Sequence, residues 1–378
     1  MERSLLKELT DSRLKAYLKQ MANKARLWPT LFPLDYSDEL TWESLNAVAG
    51  GTIVADVVSY DSSAPEKGRQ VIGKESGEIQ KITVKRSMRE KDLLQYNRLK
   101  KGIQGDAEKT KILNLVYDDV DFVVEAVSGR CESMALQAAS CGQISFNKKN
   151  NNGIVTETAV SLGIPKENKF CSTSLLTNVS GFDFLAELRK MKKASKKTGT
   201  VKYAWMDEDT FVAIMDTDKI RAAFGFYLTK TKTSYEGDIF LEDINRMLTS
   251  MKLPNIIIVE DSDLIFENED HVRVELEAWK KGYVAFTIDK KFGRMQHGPI
   301  AEEDAESVKK YAIQAKKGHV LVTKWSATDP VVEWTKGEAH CFPVIDNPGC
   351  VYYLNTNSTT KFIEEAVNPN TEKTVVAE

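Results

Sequence analysis

The sharpest chemical motif in the chain is G-R-Q-V-I-G-K-E, Gly68 to Glu75, which follows the spacing of a phosphate-binding loop up to its last position. Such a loop needs a Ser or Thr hydroxyl after the lysine to hold magnesium, and a following helix whose first amides face the anion. Glu75 puts a repelling carboxylate there instead, and the residues beyond it read as strand. The motif is a decoy for nucleotide binding. A second candidate is the acidic cluster Glu260, Asp261 and Asp263 at the end of the apolar run N-I-I-I-V. Carboxylates at a strand end suit a metal-dependent α/β enzyme. The glycine and regular spacing of a calcium loop are absent, however, and a hydrated loop accounts for the charges.

The four histidines (His271, His297, His319, His340) form no H-x-x-x-H or H-E-x-x-H pair, so a zinc site would have to be assembled wholly from distant chain. They read as surface or internally satisfied groups. The five cysteines (Cys131, Cys141, Cys171, Cys341, Cys350) show no C-x-x-C spacing and read as reduced, mostly buried thiols. His340 and Cys341 could pose as base and nucleophile, but neighbours on a strand point to opposite faces, so Cys341 reads as core. No G-x-S-x-G offers a nucleophile elbow. The expectation is a chain with no catalytic, cofactor-binding or metal-binding residues, hence no enzyme and no cofactor.

The elements around these motifs say more. Thr52 to Arg86 reads as two β runs, T-I-V-A-D-V-V-S and E-I-Q-K-I-T-V-K-R, joined by a polar stretch far longer than a tight turn needs. An isolated two-stranded ribbon is marginal in water and its edges invite pairing, so this hairpin is expected to lie across a neighbouring subunit. It carries the one basic concentration, Lys67, Arg69, Lys74, Lys81, Lys85 and Arg86. Two compatible readings stay open: charges that protect an exposed edge, and ion pairs with acidic surfaces of a neighbour. Upstream, Leu5 to Trp28 has the apolar spacing of an amphipathic helix, stopped by Pro29 and Pro33. Trp28, Leu31, Phe32 and Tyr36 then lie on irregular chain that must pack on its own body or on a partner.

Downstream, a short helix ends near Gly102. A long one runs from Asp106, with Val116, Val120, Val123, Val127, Cys131, Met134 and Ala138 on one stripe and Gly142 at its C-terminal stop. An α/β pattern follows: helices over Gly181 to Ala194, Asp207 to Ile214 and Leu241 to Met251, and strands over Val201 to Met206, N-I-I-I-V-E, Tyr283 to Ile288 and Val320 to Lys324. The last strands are V-V-E-W-T-K, C-F-P-V-I and V-Y-Y-L. With 52 basic and 55 acidic residues the net charge is -3, which excludes a dedicated nucleic-acid-wrapping surface. No apolar run approaches the ~20 residues of a membrane span, and the charged N-terminus lacks the apolar core of a signal peptide.

Taken in order, these pieces resemble the major capsid proteins of tailed bacteriophages, which share the HK97-like fold, and most closely the lambda-type capsid protein E family. The residues that carry the likeness are L-W-P-T-L-F-P, G-G-T-I-V-A-D-V-V-S-Y, K-I-T-V-K-R, A-F-T-I-D-K-K-F-G-R-M-Q-H-G-P-I and K-W-S-A-T-D-P-V-V-E-W-T-K-G-E-A-H-C-F-P-V. The resemblance implies an α+β chain: an N-terminal arm (1–35), a connection (36–51), a hairpin E-loop (52–86), and a P-domain (87–179) whose spine helix runs from Ala107 to Gly142. An α/β A-domain (180–317), P-domain return strands (318–357) and a C-terminal tail (358–378) follow. It further implies a shell protein that assembles as hexamers and pentamers into an icosahedral head around double-stranded DNA, without sequence-specific contacts and without a membrane. Scaffold, portal and decoration proteins are the implied partners, with no scaffolding domain fused to the chain and no expected covalent crosslink. The expected intersubunit contacts are Trp28, Leu31 and Phe32 with the six basic ribbon residues. Two rival readings are a nanocompartment shell of similar fold, against which the helix from Leu5 to Ala25 argues, and an enzyme centred on Glu260 and Asp261.

Overall fold

The computed structural model describes residues 4–6, 9–22, 24–46, 73–101, 106–147, 150–151, 158–231, 234–260, 263–268 and 271–362. The first part of the chain forms helices α1 (Asp11–Gln20) and α2 (Trp28–Leu31) and strands β1 (Leu34–Tyr36), β2 (Thr41–Asn46), β3 (Gly73–Glu78) and β4 (Lys81–Arg89). Helices α3 (Glu90–Lys101) and α4 (Asp106–Cys141) follow, then strands β5 (Gln143–Phe146), β6 (Thr158–Ser161) and β7 (Lys169–Cys171). The middle holds α5 (Phe184–Ala194), β8 (Tyr203–Asp207), α6 (Glu208–Met215), α7 (Asp218–Thr229), α8 (Leu241–Ser250) and β9 (Asn255–Val259). After them come β10 (Ile265–Glu267), β11 (Arg273–Glu275), β12 (Tyr283–Thr287) and β13 (Gly293–His297). Short helices α9 (Ala301–Asp304) and α10 (Glu306–Tyr311) precede β14 (Ile313–Lys317), β15 (Val320–Thr328), β16 (Val331–Ile345) and β17 (Tyr352–Asn355).

Helix α4 is the spine that the periodicity predicts: 36 residues, about 54 Å at 1.5 Å per residue. Gly142 ends it at φ +69, the left-handed backbone that glycine adopts without a Cβ clash. The buried stripe Val116, Val120, Val123, Val127 and Cys131 lies against β16. The approach is close enough that a Cβ on Gly337 would stand 2.9 Å from the Val123 carbonyl oxygen.

Strand β16 organises a six-stranded sheet of order β1-β13-β16-β15-β14, with β4 paired along its other flank. The expected breaks between V-V-E-W-T-K and C-F-P-V-I do not occur; the two runs form one strand of 15 residues. The return strand K-I-T-V-K-R also corrects its expectation. Instead of forming the free half of a projecting hairpin, β4 pairs antiparallel with β16 from Lys81↔His340 to Arg89↔Val332. Strands β2 and β3 form a two-stranded ribbon, paired from Thr41↔Glu78 to Asn46↔Gly73 and connected by residues 47–72; β2 is seated on the body, with Trp42 buried against Phe342 and the Ser44 hydroxyl donating to the Ile345 carbonyl at 2.6 Å. The strand expected at T-I-V-A-D-V-V-S lies outside the described residues.

A five-stranded sheet, β7-β17-β12-β8-β9, divides two cores. Along it the side chains alternate by the period-2 geometry of a strand. Ala204, Met206, Val284, Phe286, Tyr352 and Leu354 face helices α5 to α8, while Trp205, Ala285 and Tyr353 face the core built around α4. A sheet buried on both faces needs near-continuous apolar strands, and β12 (Y-V-A-F-T) is buried at all five positions. This topology also corrects the expected partition. Residues 293–297 and 313–317, expected in the α/β lobe, belong to the six-stranded sheet, and 352–355, expected among the return strands, belong to the α/β sheet.

Candidate functional site

For a chain expected to tile with copies of itself, the candidate site is the set of arms and edges offered to a neighbour. Trp28, Leu31 and Phe32 are not among them in this structure: all three are buried in the chain's own core. The single helix predicted from Leu5 to Trp28 is shorter at both ends: α1 covers only Asp11–Gln20, and α2 starts separately at Trp28. The amides of Leu27 and Trp28 donate to the buried carboxylate of Glu132 on α4, at 3.1 and 2.8 Å. That carboxylate takes the place of a preceding turn and supplies charge to the start of α2, where Pro29 needs no amide partner. The Trp28 indole donates to Ser128 at 3.2 Å, and Phe32 stacks on Phe292 with centroids 6.0 Å apart. Withdrawing these side chains from that core into water would forfeit about 1.5–3 kcal/mol each of apolar burial. They bind the arm to its own spine.

The basic residues divide. Lys67 and Arg69 lie outside the described residues, and Lys74 is placed only by its backbone, opposite Leu45 in the β2–β3 ribbon. Lys81, Lys85 and Arg86 are on β4 and have partners within the chain. Lys81 pairs with Glu338 at 2.9 Å, and Lys85 lies over the Trp334 ring at 4.9 Å. Arg86 reaches Asp118 at 3.0 Å and Asp119 at 3.4 Å, with its guanidinium over Phe122. Among the described strands β4 pairs only with β16, so these cations lie on a strand whose other edge no described strand covers.

Large apolar side chains are exposed at positions that motif reading missed: Val212 on α6, Phe226 and Leu228 on α7 and Phe240 in the α/β lobe, and Ile265 and Val274 on the small β10–β11 hairpin, beside which Leu264 packs into the larger core. The available signal was an apolar residue on the polar side of each helical repeat. The enzyme-like candidates do not converge. Glu260 follows β9 as an exposed residue, Asp261 lies outside the described residues, and Asp263 pairs with Lys24 at 3.5 Å. After Gly73 and Lys74 the chain continues as strand β3 rather than as a phosphate-binding helix.

The larger lobe buries charges that the sequence reading did not single out. Glu333 and Lys324 are both fully buried, and Asp119 lies near them. Glu333 accepts from the Ser4 hydroxyl at 2.5 Å and from the Leu5 amide at 3.0 Å, fastening the start of the described chain to β16. The Lys324 ammonium donates to the Val116 carbonyl at 3.3 Å. Burial pushes the Glu333 and Asp119 carboxyls up and the Lys324 ammonium down, each partly opposed by its partners. For Glu338, burial also raises the carboxyl, but hydrogen bonds from Lys81 and Lys336 outweigh it and hold the group below its ordinary value.

The predicted separation of His340 and Cys341 holds. His340 bonds the Pro299 carbonyl at 2.7 Å, while Cys341 points into the core. There it meets Cys131 of α4 and His319 of the β14–β15 turn, groups that the spacing argument kept apart. No linear motif signals that meeting, because its members lie on three separate elements.

No helix among the described residues is long and apolar enough to cross a membrane. The sequence matches the family described as phage major capsid protein E over residues 12–355. No curated protein matches the chain in sequence. Among solved structures, a candidate capsid protein of a prophage from E. coli CFT073 aligns with TM-score 0.54 and 14% identity, covering 92% of this chain and 99% of that one. A phage-related protein from Bordetella bronchiseptica RB50 aligns with TM-score 0.50 and 10% identity, covering 94% and 99%. The shared architecture is the HK97-like capsid fold. The spine helix, the ribbon and the two lobes are therefore those of a shell-forming structural protein of a tailed phage, and the chain belongs to the phage major capsid protein E family.

Proposed function

We propose that this chain assembles as hexamers and pentamers into an icosahedral head that encloses double-stranded DNA, in the cytoplasm of a bacterial host and with separate scaffold, portal and decoration proteins. In this reading the N-terminal arm runs to Asp35 and is held to the spine by Glu132. The E-loop is the ribbon from Thr41 to Glu78, its rails β2 and β3. The P-domain comprises α4 and the six-stranded sheet, and the A-domain is the α/β lobe closed by β17. Its exposed apolar residues would face neighbouring copies around each capsomer centre.

The observation that carries the reading is the β2–β3 ribbon on a chain of this family: two paired rails, seated on the body through Trp42 and Ser44, are joined by 26 residues, 47–72. A two-stranded ribbon gains stability only against further structure, and a second copy supplies it. Individual contacts of this kind are modest, and their repetition over a closed lattice makes the shell stable while wrongly placed subunits can still leave. The near-neutral charge suits DNA that must pack inside without sticking. The test is to shorten the connection between Gly51 and Gln70, leaving both rails, and to examine the product by negative-stain microscopy and sedimentation. The expected product is folded and soluble and forms no shells; intact shells would remove the ribbon from assembly.

A further inference from the structure

Three groups from separate elements meet in the core of the larger lobe: Cys131 from the middle of α4, His319 from the turn between β14 and β15, and Cys341 from β16. Their donor atoms all lie within 4.8 Å of one another, and the residues are 0%, 8% and 0% exposed. The two Sγ atoms are 3.2 Å apart, and Cys131 Sγ is 3.7 Å from His319 Nε2. Even carbon atoms, which are smaller than sulfur, sit best at about 3.5–4.0 Å. His297 stands directly opposite Cys341 in the β13–β16 ladder, so the two side chains share a face, and its ring is 6.2 Å from that of His319. A buried cysteine can serve as a small apolar residue. That use calls neither for a second sulfur at this distance nor for an imidazole beside it.

The geometry points to a structural zinc site formed by Cys131, His319 and Cys341, with His297 closing the fourth position. Two sulfurs and two imidazole nitrogens are a donor set that zinc takes in tetrahedral, closed sites, and thiolates select it over hard cations. Charge balance favours it as well. Zinc binding releases to solvent the protons that the thiols carry, and two thiolates, two neutral imidazoles and one divalent ion sum to zero net charge, which a buried site tolerates. The ion would tie the spine helix to β16, to β13 and to the β14–β15 turn at one point.

The test uses the full chain purified under reducing conditions, with metal content measured by mass spectrometry and cobalt(II) substitution followed by absorption. The expected result is about one zinc per subunit and a thiolate-to-cobalt charge-transfer band. Zinc content should fall by more than about tenfold in the Cys131→Ser/Cys341→Ser double variant and stay unchanged in Cys171→Ser. His297→Asn should weaken zinc affinity about tenfold or more. The cobalt experiment needs no variant, so a double variant that fails to fold leaves the outcome readable. Free thiols without metal or cobalt band, or a Cys131–Cys341 disulfide, would overturn the site; unchanged affinity in His297→Asn would overturn its four-ligand form. The cluster binds zinc or fails to whether or not particles form.

Discussion

The two lobes use buried charges differently. In the α/β lobe the aspartates that cap helices act locally. Asp207, at the end of β8, accepts from the Thr210 amide at 2.9 Å and hydroxyl at 2.6 Å, capping α6, and Asp183 caps α5 through the Ala186 amide. In the larger lobe the bonds span the chain: Ser4 to Glu333, Trp28 to Glu132, Lys324 to Val116. Local caps stabilise an element wherever it packs. Long-range buried charges make one arrangement of distant segments the only one in which their desolvation is offset. The larger lobe therefore has its segment order enforced in part by buried charges, and the α/β lobe by apolar faces together with neutral bonds such as the Gly282 amide to the Thr210 hydroxyl and the Trp205 indole to the Thr287 hydroxyl, both 2.8 Å.

The largest effect should come from breaking a long-range contact. Glu333→Ala removes the acceptor of Ser4 and Leu5 and leaves Lys324 without that carboxylate, at a cost of about 3–5 kcal/mol by the usual penalty for an uncompensated buried charge. Denaturant unfolding should register that loss, and limited proteolysis should release the first residues early; an unchanged digestion pattern would mean that the anchor lies elsewhere. Asp207→Ala tests the other lobe. Loss of the α6 cap should cost about 0.5–2 kcal/mol and leave the N-terminal proteolysis pattern unaltered. If it frees the N-terminus as Glu333→Ala does, the contrast between the lobes fails.

The smallest effect concerns acid. Glu338 has its carboxyl held below its ordinary value by Lys81 and Lys336, and His340 lies 3.4 Å away. A carboxyl lowered in the folded state contributes stability that is complete above its unfolded value and is lost as pH falls through the folded one. Thermal melts of wild type and Glu338→Gln should therefore differ most near neutrality and converge below the usual carboxylate range, where Glu338 is protonated. Parallel curves across that range would remove the linkage.

Elements whose signals lie within a turn or two were legible. The valine stripe and Gly142 marked α4, Asp207 marked the start of α6, and the apolar runs marked β9 and β12 within one or two residues of their observed ends. The candidate contacts fared differently. Trp28, Leu31 and Phe32 were recognised as needing cover, but nothing near them says that the cover is Glu132 and Phe292 of the same chain. Lys81, Lys85 and Arg86 were read both as edge charges and as ion-pairing groups for a neighbour, but the partners they meet here are on α4 and β16, in distant chain. Helix α7 (Asp218–Thr229) went unread altogether, and with it the exposed pair Phe226 and Leu228.

By itself the sequence determined periodicity, caps, stops, near-neutral charge and the order of elements that marks the capsid family. Each of these is a property of adjacent residues, or of their succession. Only the tertiary structure decided that β4 lies on β16, that β2 pairs with β3, and that two cysteines and a histidine from three elements share one buried point. The reason is physical: strand pairing and core contacts between remote segments depend on which faces meet, and a residue carries no local mark of the partner it will find.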